Sequence, residues 1–185
     1  MITTVQKLSL APNRRLLAIS DIHGHPGLLR ALLQKIGFST QDILFIVGDI
    51  IEKGPDSLGA LRLVMQLCRT HTVYPLIGNV DLWQLSWLQC DDEETAGYLL
   101  ERIAQAASRY GCCLFSQMCA EAGLTVATTQ DVRAARRMIR KRFAPEIAFL
   151  QGLPTIVCTE HAVFVHGGIP TQDVDSLAGT EAHPY

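Results

Sequence analysis

No stretch of this chain approaches the ~20 consecutive apolar residues that a membrane helix needs, which excludes a helical membrane span. The opening residues, Met1 to Arg15, lack the basic start and apolar core of a secretion signal, so a cytoplasmic protein is expected. Charge of one sign is missing too. The net charge of −2 offers no general attraction to nucleic acid or to anionic membranes. Six cysteines are present (Cys68, Cys90, Cys112, Cys113, Cys119, Cys158), but they form no CxxC pair and no zinc-site spacing. Reduced, mostly buried thiols are the expectation, with the adjacent Cys112 and Cys113 left to coincidence. Internal repeats and low-complexity tracts are also absent.

What is present is globular. The 185 residues are 48% hydrophobic and 18% charged, enough to bury one domain's core. The first third alternates strand and helix. Leu16 to Ser20 reads as a buried strand running into Asp21-Ile22-His23-Gly24. Leu29, Leu32, Leu33 and Ile36 then fall at helical spacing, and Gly37 sits where a C-terminal cap belongs. Ile43 to Val47 is a second buried strand, followed by Gly48-Asp49. Pro55, Asp56 and Ser57 open a helix with Leu61, Val64, Met65 and Cys68 on one face. Val73 to Ile77 is a third strand leading to Gly78-Asn79-Val80-Asp81. A βαβαβ order with right-handed crossovers makes these strands parallel.

From Leu82 to Gly152 the chain loses its strand signals and reads as a helical insertion over one end of the sheet, within a single domain spanning 1–185. The acidic cluster Asp91 to Glu94 suits a helix start. Arg133, Arg136, Arg137 and Arg140 share a helix face, expected to be solvated, with a phosphate-steering wall as the minority alternative. Two short strands follow, Thr155 to Cys158 and Ala162 to Val165, the second ending in His166-Gly167-Gly168.

Four strands therefore end in residues able to bind a metal: Asp21 with His23, then Asp49, Asn79 and His166. In open α/β sheets, ligands bind beyond the carboxyl ends of the strands, where residues distant in sequence converge. Taken singly, each motif is common turn chemistry. Taken together, in order and each directly after an apolar strand, they point to a metal site. A mixed oxygen and imidazole set suits zinc, manganese or iron.

Asp21-Ile22-His23-Gly24, Gly48-Asp49-Ile50-Ile51-Glu52-Lys53-Gly54-Pro55, Gly78-Asn79 and His166-Gly167-Gly168 resemble the successive motifs of calcineurin-like metallophosphoesterases. The likeness is greatest to the branch of serine/threonine phosphatases and bacterial diadenosine tetraphosphatases. It implies an α/β fold of four layers, an αββα sandwich, with two transition-metal ions (Mn, Fe or Zn). By position Asp21, His23 and Asp49 would hold one ion, and Asp49, Asn79 and His166 the other. Such a pair activates a water and clamps a phosphate for in-line attack. The implied function is hydrolysis of a phosphorylated small molecule or other phosphoester. The alternative is a non-catalytic interaction module that keeps the fold.

Departures from the family pattern bear on mechanism. Glu52 and Lys53 stand where that branch has aspartate and arginine, and Val80 replaces its proton-donating histidine. Lys53 keeps a positive charge for substrate binding but lacks arginine's bidentate fork. Glu52 and Asp81 remain as candidate acid–base residues, with helix capping the competing role for Asp81. A missing proton donor favours good leaving groups: diesters, pyrophosphate-linked nucleotides or activated monoesters. His25 could approach the site or merely shape a turn; His71, His161 and His183 are expected to be solvated. Relatives continue beyond the His-Gly-Gly strand, and a later Gly-His turn supplies another ligand, whereas here Ile169 to Tyr185 follows. The expectation is a shortened member with its second sheet cut back, an incomplete centre, low activity and exposed edges that invite homo-oligomers.

Overall fold

The structure, a computed structural model, describes residues 4–109 and 114–168. Cys112, Cys113, His183 and the tail from Ile169 lie outside the described residues. The elements run β1 (Val5–Lys7), β2 (Leu16–Ile19), α1 (Pro26–Lys35), β3 (Ile43–Val47), α2 (Ser57–Thr70) and β4 (Thr72–Leu76). Then come α3 (Asn79–Gln89), α4 (Glu93–Arg109), α5 (Leu114–Ala122), α6 (Thr129–Arg142), α7 (Ala144–Gln151), β5 (Ile156–Cys158) and β6 (Val163–Val165).

Two three-stranded sheets form, in the orders β2-β3-β4 and β1-β5-β6. The first is wholly parallel, as the βαβαβ pattern requires. In the second, β1 pairs with β5 in parallel and β5 with β6 antiparallel. The strand β1 carried no signal in the sequence, because Val5, Gln6 and Lys7 are all exposed and show no burial pattern.

The apolar run Ile43–Val47 sits at the centre of the first sheet and works on both faces. Leu44 and Ile46 join the helices in the main core, whereas Ile43 and Phe45 meet Val157 and Phe164 of the other sheet. This two-sided burial is why β3 reads as a continuous apolar segment and not as an alternating one. Phe45 stacks on Phe164 with centroids 3.8 Å apart, joining the two sheets. Helices, first sheet and second sheet make successive layers of the expected α/β sandwich.

The reading of Leu16 to Ser20 as a buried strand needs correction. Among the described residues β2 pairs with β3 alone, so it is an edge, and Leu16 is 49% exposed. An apolar run signals a strand without saying how many neighbours it has. On the opposite edge, β4 tolerates Pro75 within its register, as edge strands do.

Every described element between β4 and β5 is a helix, and their apolar faces complete the main core: Leu85 and Leu88 of α3, Leu99 of α4, Phe115 and Met118 of α5, Ile139 of α6. Glu93 and Glu94 occupy the first turn of α4, and Asp92 accepts the Thr95 N–H at 2.7 Å, as the acidic cluster suggested. The arginine stripe is the expected solvated face only in part: Arg137 is exposed, but Arg136 and Arg140 are tied down. Arg136 is fully buried and donates to the Trp87 and Asp92 carbonyls. Arg140 donates to Leu88 and Gln89 and pairs with Asp91 at 2.8 Å. These guanidiniums satisfy the carbonyls that α3 leaves unpaired at its C-terminus. The helix α3 is eleven residues long, which puts that end roughly 15 Å along the axis from its start. They are structural caps, not a wall over the strand ends.

Candidate metal centre

The turns that carry the candidate ligands begin where the parallel strands stop. Beyond β2 and β3 the two loops stay zipped together: the His23 N–H donates to the Asp49 carbonyl at 2.9 Å, and Gly24 N–H to Ile50 at 2.9 Å. The price of this arrangement is local strain. Asp21, His23, Asp49, Glu52 and Lys53 all adopt positive φ, between 45° and 66°. Left-handed backbone costs a non-glycine residue about 1–2 kcal/mol and concentrates at functional sites.

Space is equally tight. A Cβ at Gly78 would lie 2.2 Å from an Asp49 carboxylate oxygen, and one at Gly48 would lie 2.7 Å from the His166 ring. Both glycines are therefore demanded by close approach between loops.

Five predicted ligands converge here. His23 Nε2 lies 3.2 Å from Asp21 Oδ1 and 3.6 Å from Asp49 Oδ2. On the other side, His166 Nε2 lies 3.4 Å from Asp49 Oδ1 and 3.1 Å from Asn79 Oδ1. Donor atoms of Asp21, His23 and Asp49 all fall within 4.8 Å of one another, as a shared cation requires. The ring orientations fit the same purpose. His166 Nδ1 sits 2.8 Å from the Val47 carbonyl and His23 Nδ1 3.3 Å from that of Ile51. Each contact places the N–H on Nδ1 and leaves the Nε2 lone pair toward the carboxylates. Asp49 is 2% exposed, while Asn79 is exposed at the rim. The Ser20 hydroxyl holds the Asp21 carboxyl below its ordinary range.

Asp81 lies beneath this cluster, fully buried. Its Oδ1 accepts the N–H groups of Ile50 and Ile51 at 3.0 and 3.2 Å, and its Oδ2 that of Gly78 at 2.9 Å. One side chain thus caps α3 and cradles the Asp49 loop. Burial, with Asp49 nearby, pushes its pKa up to about 6 against the pull of those N–H groups. Glu52 is 3% exposed, and its Oε1 accepts the Leu114 N–H at the start of α5. Burial lifts this carboxyl to about 7. Lys53 is exposed, with Nζ 2.9 Å from His23 Nε2. Val80 has a buried side chain, but its N–H donates to Asp49 Oδ1 at 3.1 Å.

Among the other histidines, His25 Nδ1 lies 2.7 Å from the His23 carbonyl and so shapes the turn. His71 is stacked on Phe38 at 5.0 Å and is half-buried, not solvated as expected, because Phe38 follows α1 onto it. His161 is exposed.

Comparison with known proteins agrees with this geometry. A family profile for calcineurin-like phosphoesterases matches residues 14–182, and the chain belongs to that family. Among curated relatives, the symmetrical bis(5'-nucleosyl)-tetraphosphatase of Photorhabdus laumondii is 48% identical over 65 residues, covering 35% of this chain and 23% of that protein. The Nitrosomonas europaea enzyme of the same name is 36% identical over 91 residues, covering 49% and 33%. The crystal structure of a candidate diadenosine tetraphosphatase superposes with a TM-score of 0.54 at 22% identity, covering 92% of this chain and 59% of that one. The chain therefore matches well under two thirds of the length of these relatives. The structural likeness bears on the fold alone.

Proposed function

We propose that this chain forms a metal-dependent phosphoesterase centre with two ions bridged by Asp49. The observation that supports it most is the placement of the Asp49 carboxylate, one oxygen toward His23 and the other toward His166, whose Nε2 also meets Asn79 Oδ1. Asp21, His23 and Asp49 would hold one ion; Asp49, Asn79 and His166 the other. Manganese, iron or zinc suits this donor set. Bound there, the pair would supply Lewis acidity that acidifies water and polarises a phosphoryl group.

The chain's own residues do the rest. Lys53, exposed beside His23, would attract and orient the phosphate. The Val80 N–H holds Asp49 in place. Asp81 and Glu52 each accept backbone N–H groups from neighbouring segments, which supports positioning roles over direct proton transfer. Valine at position 80 cannot protonate a leaving group, so esters whose leaving groups need no proton are favoured. Pyrophosphate-linked dinucleotides, on which the names of the relatives bear, fall in that class.

The test is metal content by mass spectrometry, followed by manganese-supported hydrolysis of an aryl phosphodiester, a dinucleotide polyphosphate and a phosphoserine peptide. Two ions per chain and preference for the first two substrates are expected. Asp49→Asn should lose both ions and all turnover. Full metal content in that variant would exclude the bridge, and a preference for the phosphopeptide would exclude the leaving-group argument.

A further inference from the structure

The loop that carries Lys53 is strained, and something must hold it. Glu52 and Lys53 are consecutive residues in left-handed conformation, with φ of 66° and 64°. Such backbone persists only where its surroundings over-determine it. Part of the restraint is local, since the Glu52 N–H donates to the buried Ser57 hydroxyl at 2.9 Å. The remainder comes from α5, more than fifty residues further along the chain. Leu114 N–H binds Glu52 Oε1 at 2.5 Å on one flank of Lys53. On the other flank, Gln117 Nε2 donates to the Pro55 carbonyl at 2.8 Å, and Gln117 Oε1 accepts the Leu58 N–H at 2.8 Å. The helix α5 is itself fixed to α2 by Arg62 and Glu121 at 2.8 Å.

From these contacts we infer that Gln117 is a positioning residue: its amide clamps the 52–58 loop so that Lys53 stands beside His23, ready for the phosphate. The inference rests on the phosphoesterase reading for its consequence, though not for the clamp itself. It gives the helical stretch between β4 and β5 a part in substrate affinity. Gln117 is only half-buried, so replacing it should leave the fold intact.

Gln117→Met keeps the length of the side chain and removes both hydrogen bonds; Gln117→Glu keeps an acceptor for Leu58 and removes the donor to Pro55. In the metal-loaded protein, losing a clamp bond of ordinary net strength should raise KM about fivefold. The ordering Gln117→Met above Gln117→Glu above wild type is expected, with kcat and metal stoichiometry little changed. Because Gln117 acts through Lys53, adding Gln117→Met to Lys53→Met should change KM no further. Additive effects in that double variant, or an unchanged KM in Gln117→Met, would overturn the assignment, as would a fall in kcat alone. Amide hydrogen exchange at Lys53 and Gly54 reports the clamp whether or not any ester is hydrolysed. Faster exchange in Gln117→Met supports it, and unchanged exchange refutes it. A wild-type protein without turnover but with exchange accelerated in the variant would remove the phosphoesterase reading and keep the clamp.

Discussion

The sheet β2-β3-β4 and its partner β1-β5-β6 supply opposite sides of one candidate ligand cluster, yet they are held by different means. The first sends Asp21, His23, Asp49 and Asn79 from its strand ends and rests on the main core, with Leu44, Phe45 and Ile46 of β3 fully buried. The second sends His166 alone, from a three-residue strand in which Val163 is 49% exposed. Its attachment is a small cluster centred on Phe45, Val157 and Phe164, with His166 meeting the Val47 carbonyl and Asn79 and the Ile77 N–H donating to the Pro154 carbonyl just before β5. One side of the centre is therefore set by deep packing and by loops locked to each other. The other depends on an aromatic stack and a few hydrogen bonds from short loops.

Substitutions can break or sharpen that contrast. Phe45→Ala removes the side chain that both sheets share, and truncating a buried phenylalanine costs about 3–5 kcal/mol. Urea unfolding should show that loss, with both halves of the centre gone together. Asp81→Ala would leave the N–H groups of Gly78, Ile50 and Ile51 without their acceptor and should cost about 3 kcal/mol. If only the first sheet's loops depend on Asp81, metal binding by Asp49 should fall while a probe on β6 stays unchanged.

Glu52 tests the same side by pH. Its folded pKa of about 7 lies above the ordinary 4.5, so the folded chain keeps a proton that the unfolded chain releases. The stability this provides is complete below pH 4.5 and lost as pH rises through 7, by about 3 kcal/mol. Glu52→Gln keeps an acceptor for Leu114 and should flatten that part of the stability profile. Smallest in stability, and sharpest in meaning, is Phe164→Ala. It should cost about 1–2 kcal/mol, since the ring is only half-buried. It should also free His166, lowering metal content from two ions toward one while the Asp21–His23 side is retained.

Much of the first sheet was legible because each of its strands is apolar and each is followed by a glycine-rich turn. The cap at Gly37, the helix opening at Asp56 and Ser57 and the helices after residue 82 could be read in the same way, as could the five candidate ligand positions at the strand ends. Elements with no internal pattern were not. β1 is exposed, β2 gives no sign of being an edge, and Arg136 looks like any surface arginine of a basic helix. Burial of Arg136 depends on the end of α3, more than forty residues away, having unpaired carbonyls at that spot. A helix sequence carries no record of what lies opposite it.

The sequence by itself determined which residues could bind metal and in what order strands would deliver them, because strand periodicity and turn chemistry are local properties of the chain. Tertiary structure decided how those residues face one another. Only there does Asp49 present separate oxygens to His23 and His166, with both imidazoles oriented by backbone carbonyls. Only there do Glu52 and Asp81 become acceptors for backbone N–H groups, and only there does Gln117 reach the Lys53 loop. The reason is physical: a carboxylate's role follows from which donors lie within about 3 Å, and those donors come from segments that meet only when the core closes.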